Sequence, residues 1–533
     1  MSSPLDGQRP PRWSFAAGLA LVLSVAAVFR FWRLGWGLEQ GTWFPDEHLW
    51  AVRIQTFVPF GWQSFDAHLL VYPTLYGYVA GLATALRAAL GVIPDGTPPA
   101  ELDAVFTARA VSAVASLGAI ALVACVGRRI ASPAVGLAAA LFLAVTPLDA
   151  LQVHYASGDP LLAAFAIVVF ALALRVAARG SVGAAAAAGA AVGFATATKY
   201  TGLAYGTMVA WAILEHLWTR RRPGLAAVLL TSALVAAGAA ALLGCPPCAL
   251  HTDDLMKNVT WMRHATAWGR GYLNNHLPPT LGWYGRPYLY QLVASLPWSL
   301  GWPLYLLALL GVVVAVRRHD RADRVLLAGI VPYFAVIGGY RTTFPRYLLP
   351  LVPALALLAA RALPAARVRA GVVVALIVAY GAILTGSQVA RFSYRQQEAV
   401  AQWIAGIARA ESRPLVVGVP FYGISDYFRV GEPFAQVGLR PTWLRDGEWL
   451  AKRADVLVIP EWYAIGLERD WPESAAAKEV AALRSDGSGY VEAMRWPTSW
   501  YLQRPIDVHV DPAFAADLWQ GEIGFRAYLR TPQ

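Results

Sequence analysis

The stretch SVGAAAAAGAAVGFATATKYTGLAYGTMVAWAILEHLWTRRR, residues 181–222, decides the fold class. Two apolar runs, 182–198 and 201–218, flank a single polar step at Lys199-Tyr200, and the second run stops at three consecutive arginines, 220–222. A helix that crosses a bilayer needs roughly 20 mainly apolar residues, and cytoplasmic loops carry the Lys/Arg excess. The stretch therefore reads as two membrane helices joined by a tight external turn, with the arginines holding the far end in the cytoplasm.

The same pattern extends in both directions. Apolar runs near 14–34, 104–126, 132–148, 159–178, 182–198, 201–218, 224–244, 288–316, 324–340, 346–361 and 370–390 predict eleven transmembrane helices. The eighth is long enough to contain a kink at Pro297 or Pro303. Basic clusters at Arg9 and Arg12, Arg128 and Arg129, Arg175 and Arg179, 220–222, 317–324 and 361–369 occupy every second connection. This alternation predicts a cytoplasmic N-terminus. The other segments, 35–103, 149–158, the Lys199 turn, 245–287, 341–345 and everything after 390, then face outward. One more apolar stretch, 69–90, lies in the first external loop; its Pro73 and Arg87 suit a helix at the interface or packed on the bundle.

Composition agrees with a membrane environment: the chain is 57% hydrophobic and 14% charged, with a mean hydropathy of +0.47. That is far from a soluble domain. The net charge of +11 is spread over short clusters between apolar runs, which topology explains better than nucleic-acid binding. The first run lacks a small-residue cleavage site and continues into aromatic sequence, so it reads as a retained span rather than a signal peptide. Of the three cysteines, Cys125 sits in an apolar run, while Cys245 and Cys248 form a lone Cys-Pro-Pro-Cys. A disulfide scaffold is excluded, and a structural zinc site needs a second ligand pair, which no other cysteines supply. An incidental pair or a local disulfide remains.

From about residue 391 the long apolar runs end and acidic residues and tryptophans appear. PLVVGV at 414–419 and DVLVI at 455–459 predict buried strands, with helical pieces at 396–411 and 474–485. The expected fold is mainly α: a polytopic bundle over 1–390 followed by a small extracytoplasmic α/β domain over 391–533. No internal repeat is visible, whereas a transporter built from inverted halves should show one.

Five polar features stand out at the external boundary. WFPDEH at 43–48 places Asp46 and Glu47 side by side, with Pro45 suited to a helix start. The two acids either favour the helix dipole and face water, or one of them accepts a proton from an incoming hydroxyl or amine. Asp159 opens the fourth span after HYASG. Lys199 is a cation against the positive-inside trend, able to pair with Asp159 or to face a lipid phosphate. Arg346, in TFPRYLLP at 343–350, starts a span on its external side; it suits a phosphodiester, or snorkels to the interface. His264 lies in WMRHATAWGR at 261–270, where a lone histidine is more often a packing residue than a metal ligand.

In order and spacing these features resemble the GT-C polyprenyl-phosphate-dependent glycosyltransferases, in particular the lipid A aminoarabinose transferase and protein O-mannosyltransferase group. The resemblance covers about 14–390. Its marks are Asp46-Glu47, YPTLYGY at 72–78, Arg109, Asp159-Pro160, Thr198-Lys199, 261–270, SLPWSLGWP at 295–303 and RYLLP at 346–350. It implies a GT-C bundle and inverting transfer of a sugar from a polyprenyl-phosphate carrier to an extracytoplasmic lipid, glycan or protein. It implies Asp46 as catalytic carboxylate with Glu47 beside it, and Lys199, Arg346, Arg109 and Tyr72 as donor-phosphate residues. Asp159 and Tyr347 would orient them, and His264 would match a residue that helps bind a divalent metal. One departure matters: the family group has an acid and a lysine before the proline, where this chain has Val71-Tyr72, so Asp66 or His68 would have to substitute or the metal site is absent. No nucleotide or organic cofactor motif is present, as a lipid-linked donor requires. The rival reading is a membrane transporter or lipid flippase; a second is an inactive member that binds glycan or a protein partner. A multi-pass protein of a bacterial plasma membrane is expected.

Overall fold

In the computed structural model of this chain the described residues are 12–38, 45–57, 70–93, 101–264, 286–341, 344–390, 392, 396–411, 415–420, 440–444, 454–461, 464, 467–468, 472–485, 488–496 and 525–531. The helical part opens with α1 (Arg12–Phe31), α2 (Pro45–Phe57), α3 (Leu75–Ala89) and α4 (Glu101–Ile130). Next come α5 (Pro133–Ala144), α6 (Pro147–Gln152), α7 (Asp159–Arg179) and α8 (Val182–Thr198). A 3-10 turn, Tyr200–Tyr205, leads into α9 (Gly206–Arg220), then α10 (Pro223–Gly244), α11 (Pro247–Leu250) and α12 (Thr252–Met262). After α13 (Pro287–Tyr290) a π-helical turn, Gln291–Ser295, precedes α14 (Leu296–Leu300), α15 (Trp302–Arg318) and α16 (Arg321–Ile337). A second 3-10 turn, Pro345–Leu351, precedes α17 (Val352–Arg361) and α18 (Arg367–Ala390).

Local sequence sets many of these boundaries. Ser132, Ser181 and Asp320 cap α5, α8 and α16, accepting from Val135 N, Ala184 N and Asp323 N at 3.2, 3.4 and 2.9 Å, which satisfies amides that have no partner within the helix. Prolines stand in the first turn of α5, α7 and α10, where the missing N–H costs nothing. The small-residue run of α8 has a packing purpose: a side chain at Gly189 would lie 2.0 Å from the Ala233 carbonyl of α10. Only residues of this size let two helix backbones approach so closely.

By length and apolarity the described helices give five spans, α1, α4, α7, α10 and α18, or six if the bent pair Pro287–Leu300 and Trp302–Arg318 is one span. Eleven were expected. The other five expected segments are the shorter helices α5, α8, α9, α16 and α17, of 12, 17, 15, 17 and 10 residues. Two of these, α9 and α17, are extended at their starts by the 3-10 turns. The bend in the eighth segment is 119°. It falls at Gly301 (φ +79°, ψ 139°) rather than at the flanking prolines. The 69–90 stretch yields α3, 15 residues long, which packs on α2, α4 and α8.

Several buried charged residues of the bundle are paired. Arg30 on α1 is fully buried and donates to Asp149 of α6, to Ser116 Oγ at 2.6 Å and to the Ala144 carbonyl at 2.9 Å. At one end of the bundle Glu215 of α9 accepts from Arg321 at 2.9 Å and Arg324 at 2.7 Å, and Asp323 accepts from Arg318 at 2.6 and 2.8 Å. This charge network gathers two of the basic connections, and the Asp159–Lys199 pair lies at the opposite ends of α7 and α8.

After α18 come α19 (Gln396–Glu411), α20 (Ala475–Leu483) and a mixed five-stranded sheet in the order β2-β1-β3-β5-β4. The strands are β1 (Val416–Pro420), β2 (Arg440–Leu444), β3 (Val456–Pro460), β4 (Tyr490–Trp496) and β5 (Phe525–Arg530). β1 pairs in parallel with β2 and β3, while β5 pairs antiparallel with β3 and β4. β3 is the central strand, and Val456, Leu457, Val458 and Ile459 are all buried, the unbroken apolar run of a strand covered on both faces. The apolar core under the sheet runs into the bundle through Phe392, which stacks on His154 at 4.3 Å and packs 5.1 Å from Trp36.

Candidate active site

The pocket is built on the loop between α6 and α7. Ala156 N donates to Glu47 Oε1 at 2.7 Å, and the Ser157 carbonyl accepts from Ser112 at 2.8 Å. Tyr76 of α3 reinforces this wall, its hydroxyl donating to the Ala108 carbonyl at 2.7 Å and meeting Ser112 Oγ at 2.8 Å. Asp159 then begins α7, where its Oδ2 accepts from Ser157 Oγ at 2.9 Å.

Lys199 enters from the other side of the pocket. It terminates α8 in an extended conformation (φ −156°, ψ 135°), so its side chain leaves the helix direction and its Nζ donates to Asp159 Oδ1 at 2.5 Å. Both groups are more than nine-tenths buried. The Lys199 ammonium also lies 4.9 Å from the Tyr347 ring centre. The Arg346 guanidinium stands 4.2 Å from the Phe344 ring and 5.9 Å from Tyr347. Cations over aromatic faces are held without being neutralised. Trp50 stacks on Tyr72 at 5.7 Å, and these two rings line one pocket together with Gln152, Asp159, Lys199 and Arg346. Four residues singled out in the sequence, Tyr72, Asp159, Lys199 and Arg346, thus converge from four separate elements.

Glu47 and Arg109 are placed differently from the expectation. Glu47 is fully buried and takes both Arg109 Nε and Nη2, at 2.7 and 2.8 Å. Arg109 Nη1 donates to the Leu34 and Trp36 carbonyls at 2.9 and 2.7 Å, and the guanidinium lies on the Trp36 ring at 4.6 Å. All three nitrogens of Arg109 are engaged, and neither residue lines the Lys199 pocket. The side chain of Asp46, the second residue of α2, lies outside the described residues, as do Asp66 and His68.

His264, just past α12, lines a separate open hollow with Asp253, Lys257 and Trp261, apart from the Lys199 pocket. Among the described residues no group of three or more His, Cys, Asp or Glu could hold a metal ion; Asp66 and His68, which would have to complete the divalent site that the resemblance implied for His264, lie outside them. Cys245 and Cys248 are disulfide-bonded at the end of α10; Cys245 packs with Leu70 and Ala197 beside the pocket wall. Sequence reading missed Trp50, Arg53 and Gln152. Trp50 and Arg53 share a helix face by their i, i+3 spacing, but nothing in the sequence of α2 marks that face as the inner one.

Residues 102–242, which include Arg109, Asp159 and Lys199, match the family model described as dolichyl-phosphate-mannose-protein mannosyltransferase. No curated protein sequence matches the chain. Among solved structures, the apo oligosaccharyltransferase of Archaeoglobus fulgidus aligns with a TM-score of 0.51 and 13% identity, covering 90% of this chain and 72% of that one. ArnT from Cupriavidus metallidurans, bound to undecaprenyl phosphate, gives 0.47 and 16%, covering 86% and 95%. The Saccharomyces cerevisiae protein O-mannosyltransferase Pmt1-Pmt2 complex, bound to the sugar donor, gives 0.36 and 18%, covering 45% and 34%. The family-model match spans α4 to α10, and the likeness to the archaeal enzyme extends the shared fold over 90% of this chain.

Proposed function

We propose that this protein is a membrane glycosyltransferase that moves a sugar from a polyprenyl-phosphate carrier to an extracytoplasmic acceptor lipid, glycan or protein, with inversion at the anomeric carbon. The observation that carries the reading is the pocket in which Lys199 and Arg346 stand around Tyr347, with Asp159 fixing the lysine. Two cations from separate elements at one buried site are suited to a phosphodiester.

In this reading Lys199, Arg346 and Tyr72 bind the carrier phosphate, and Asp159 and Tyr347 orient the cations. Asp46 takes the proton as the acceptor oxygen or nitrogen attacks the anomeric carbon. The carbon–phosphate-oxygen bond breaks, the electron pair leaves with the phosphate, and the two cations stabilise the charge that develops there. Glu47 and Arg109 serve as positioning residues, because their ion pair ties α2 and α4 to the backbone of Ala156. Residues 1–390 form the catalytic bundle with a cytoplasmic N-terminus, and 391–533 form an extracytoplasmic domain at its outer end.

Charge-assisted contacts to phosphate are worth about 1.5–3 kcal/mol each, so Lys199→Met should weaken carrier binding about tenfold to a hundredfold. Carrier affinity and thermal stability are measured in parallel. A stable Lys199→Met protein with wild-type affinity would sink the assignment.

A further inference from the structure

Three arginines are buried among the described residues, Arg30, Arg53 and Arg109. Arg30 and Arg109 each donate to a carboxylate and to backbone carbonyls. Arg53 has neither kind of acceptor. It is 8% exposed, and its buried Nε and Nη1 make no hydrogen bond.

Its surroundings are aromatic. The guanidinium carbon lies 5.0 Å from the Trp50 ring centre, and its Cβ packs beside Gly77 of α3. The polar groups that act on it are the phenols of Tyr72, Tyr78 and Tyr200. Burial draws its pKa down to about 10, which leaves the guanidinium cationic at neutral pH. A cation–π contact recovers part of the desolvation cost, but a buried charge without an acceptor is a net destabilising feature. Such a group is a candidate functional site when it borders a cavity. Arg53 stands behind such a cavity: its neighbours Trp50 and Tyr72 are walls of the pocket that holds Lys199 and Arg346, and Arg53 itself is not.

We propose that Arg53 is an anion-binding residue, and that its missing acceptor is a phosphate oxygen presented along the Trp50–Tyr72 wall to join the charges of Lys199 and Arg346. The assignment rests on reading that pocket as a carrier-phosphate site. The Tyr200 hydroxyl donates to the Leu70 carbonyl at 2.8 Å, and phenol hydroxyls as a class donate to oxyanions. They fit an oxyanion better than a cation or an apolar group.

The test uses the full chain in lipid nanodiscs, with undecaprenyl phosphate and inorganic phosphate as separate probes. Wild type, Arg53→Met, Arg53→Lys and Lys199→Met are compared for probe affinity and for melting temperature without probe. Arg53→Met should lose about tenfold or more in affinity while its unliganded melting temperature stays level or rises, because an uncompensated charge has been removed. Arg53→Lys should recover part of the affinity. Binding of undecaprenyl phosphate alone identifies a lipid-borne phosphate, and binding of both probes identifies recognition of phosphate itself. If wild type binds neither probe, the carrier reading fails and this proposal fails with it. If wild type binds and Lys199→Met is weakened while Arg53→Met is not, the carrier reading stands and this proposal is overturned. A fall in the unliganded melting temperature of Arg53→Met would also overturn it, since that result makes Arg53 a packing residue.

Discussion

Asp46 and Glu47 are neighbours in sequence, and successive residues on a helix point about 100° apart. Glu47 is inside, held by Arg109 and Ala156 N. Breaking a buried ion pair by removing one partner costs about 3–5 kcal/mol, so Glu47→Gln should lower the melting temperature in detergent and the yield of folded protein. Glu47→Gln combined with Arg109→Met should cost less than the sum, since no buried guanidinium is stranded. Additive losses would remove the pair from its positioning role. The acid pair was plain in the sequence, but that Glu47 turns inward was not, because α2 has no strong apolar stripe to set its phase. Lys199 was legible for the opposite reason: on a chain whose basic residues cluster in alternate connections, one cation in a connection of the other set is conspicuous. Arg53 was not, since its burial depends on the packing of α3 and Tyr200 around it, and a single arginine on a short helix is unremarkable by composition.

Elements of spanning length were easy to find, and their irregularities were not. The eighth apolar run is broken at Gly301, between the two prolines expected to kink it. Proline lowers helix stability on both sides, but the 119° bend needs a positive φ that only glycine adopts without strain. A Cβ at Gly301 would also lie 3.1 Å from Tyr380 of α18. Gly301→Ala should therefore destabilise the protein by about 1–3 kcal/mol, read as a lower midpoint in thermal or denaturant unfolding. An unchanged midpoint would show that the bend tolerates a side chain. The strands show a similar limit. β1 and β3 were legible as short β-branched runs, whereas β4 carries exposed residues along most of its length and so presents no buried-strand signal. The Cys-Pro-Pro-Cys motif was open between an incidental pair and a local disulfide; the disulfide forms because the turn after α10 brings the two residues together.

At the scale of the whole molecule, the alternation of basic connections yields a topology that labelling can test. In a Cys125→Ser background, a membrane-impermeant maleimide applied to intact cells should label Ser485→Cys, exposed just after α20, and should leave Arg222→Cys unlabelled until the membrane is opened. The reverse pattern would invert the orientation. The bundle and the sheet share one continuous apolar core through Phe392, a seam that no composition shift near residue 391 could reveal. The central claim is that this pocket transfers a sugar from a polyprenyl-phosphate donor. Its most direct test incubates purified wild-type and Asp46→Asn protein, in liposomes, with radiolabelled polyprenyl-phosphate sugars and membrane acceptors. The amide keeps the shape of the acid but cannot take a proton at neutral pH. Label should pass to an acceptor with wild type, and transfer should be abolished in an Asp46→Asn protein of unchanged melting temperature. Equal transfer by both proteins, or movement of labelled donor across the bilayer with no labelled product, would contradict the account.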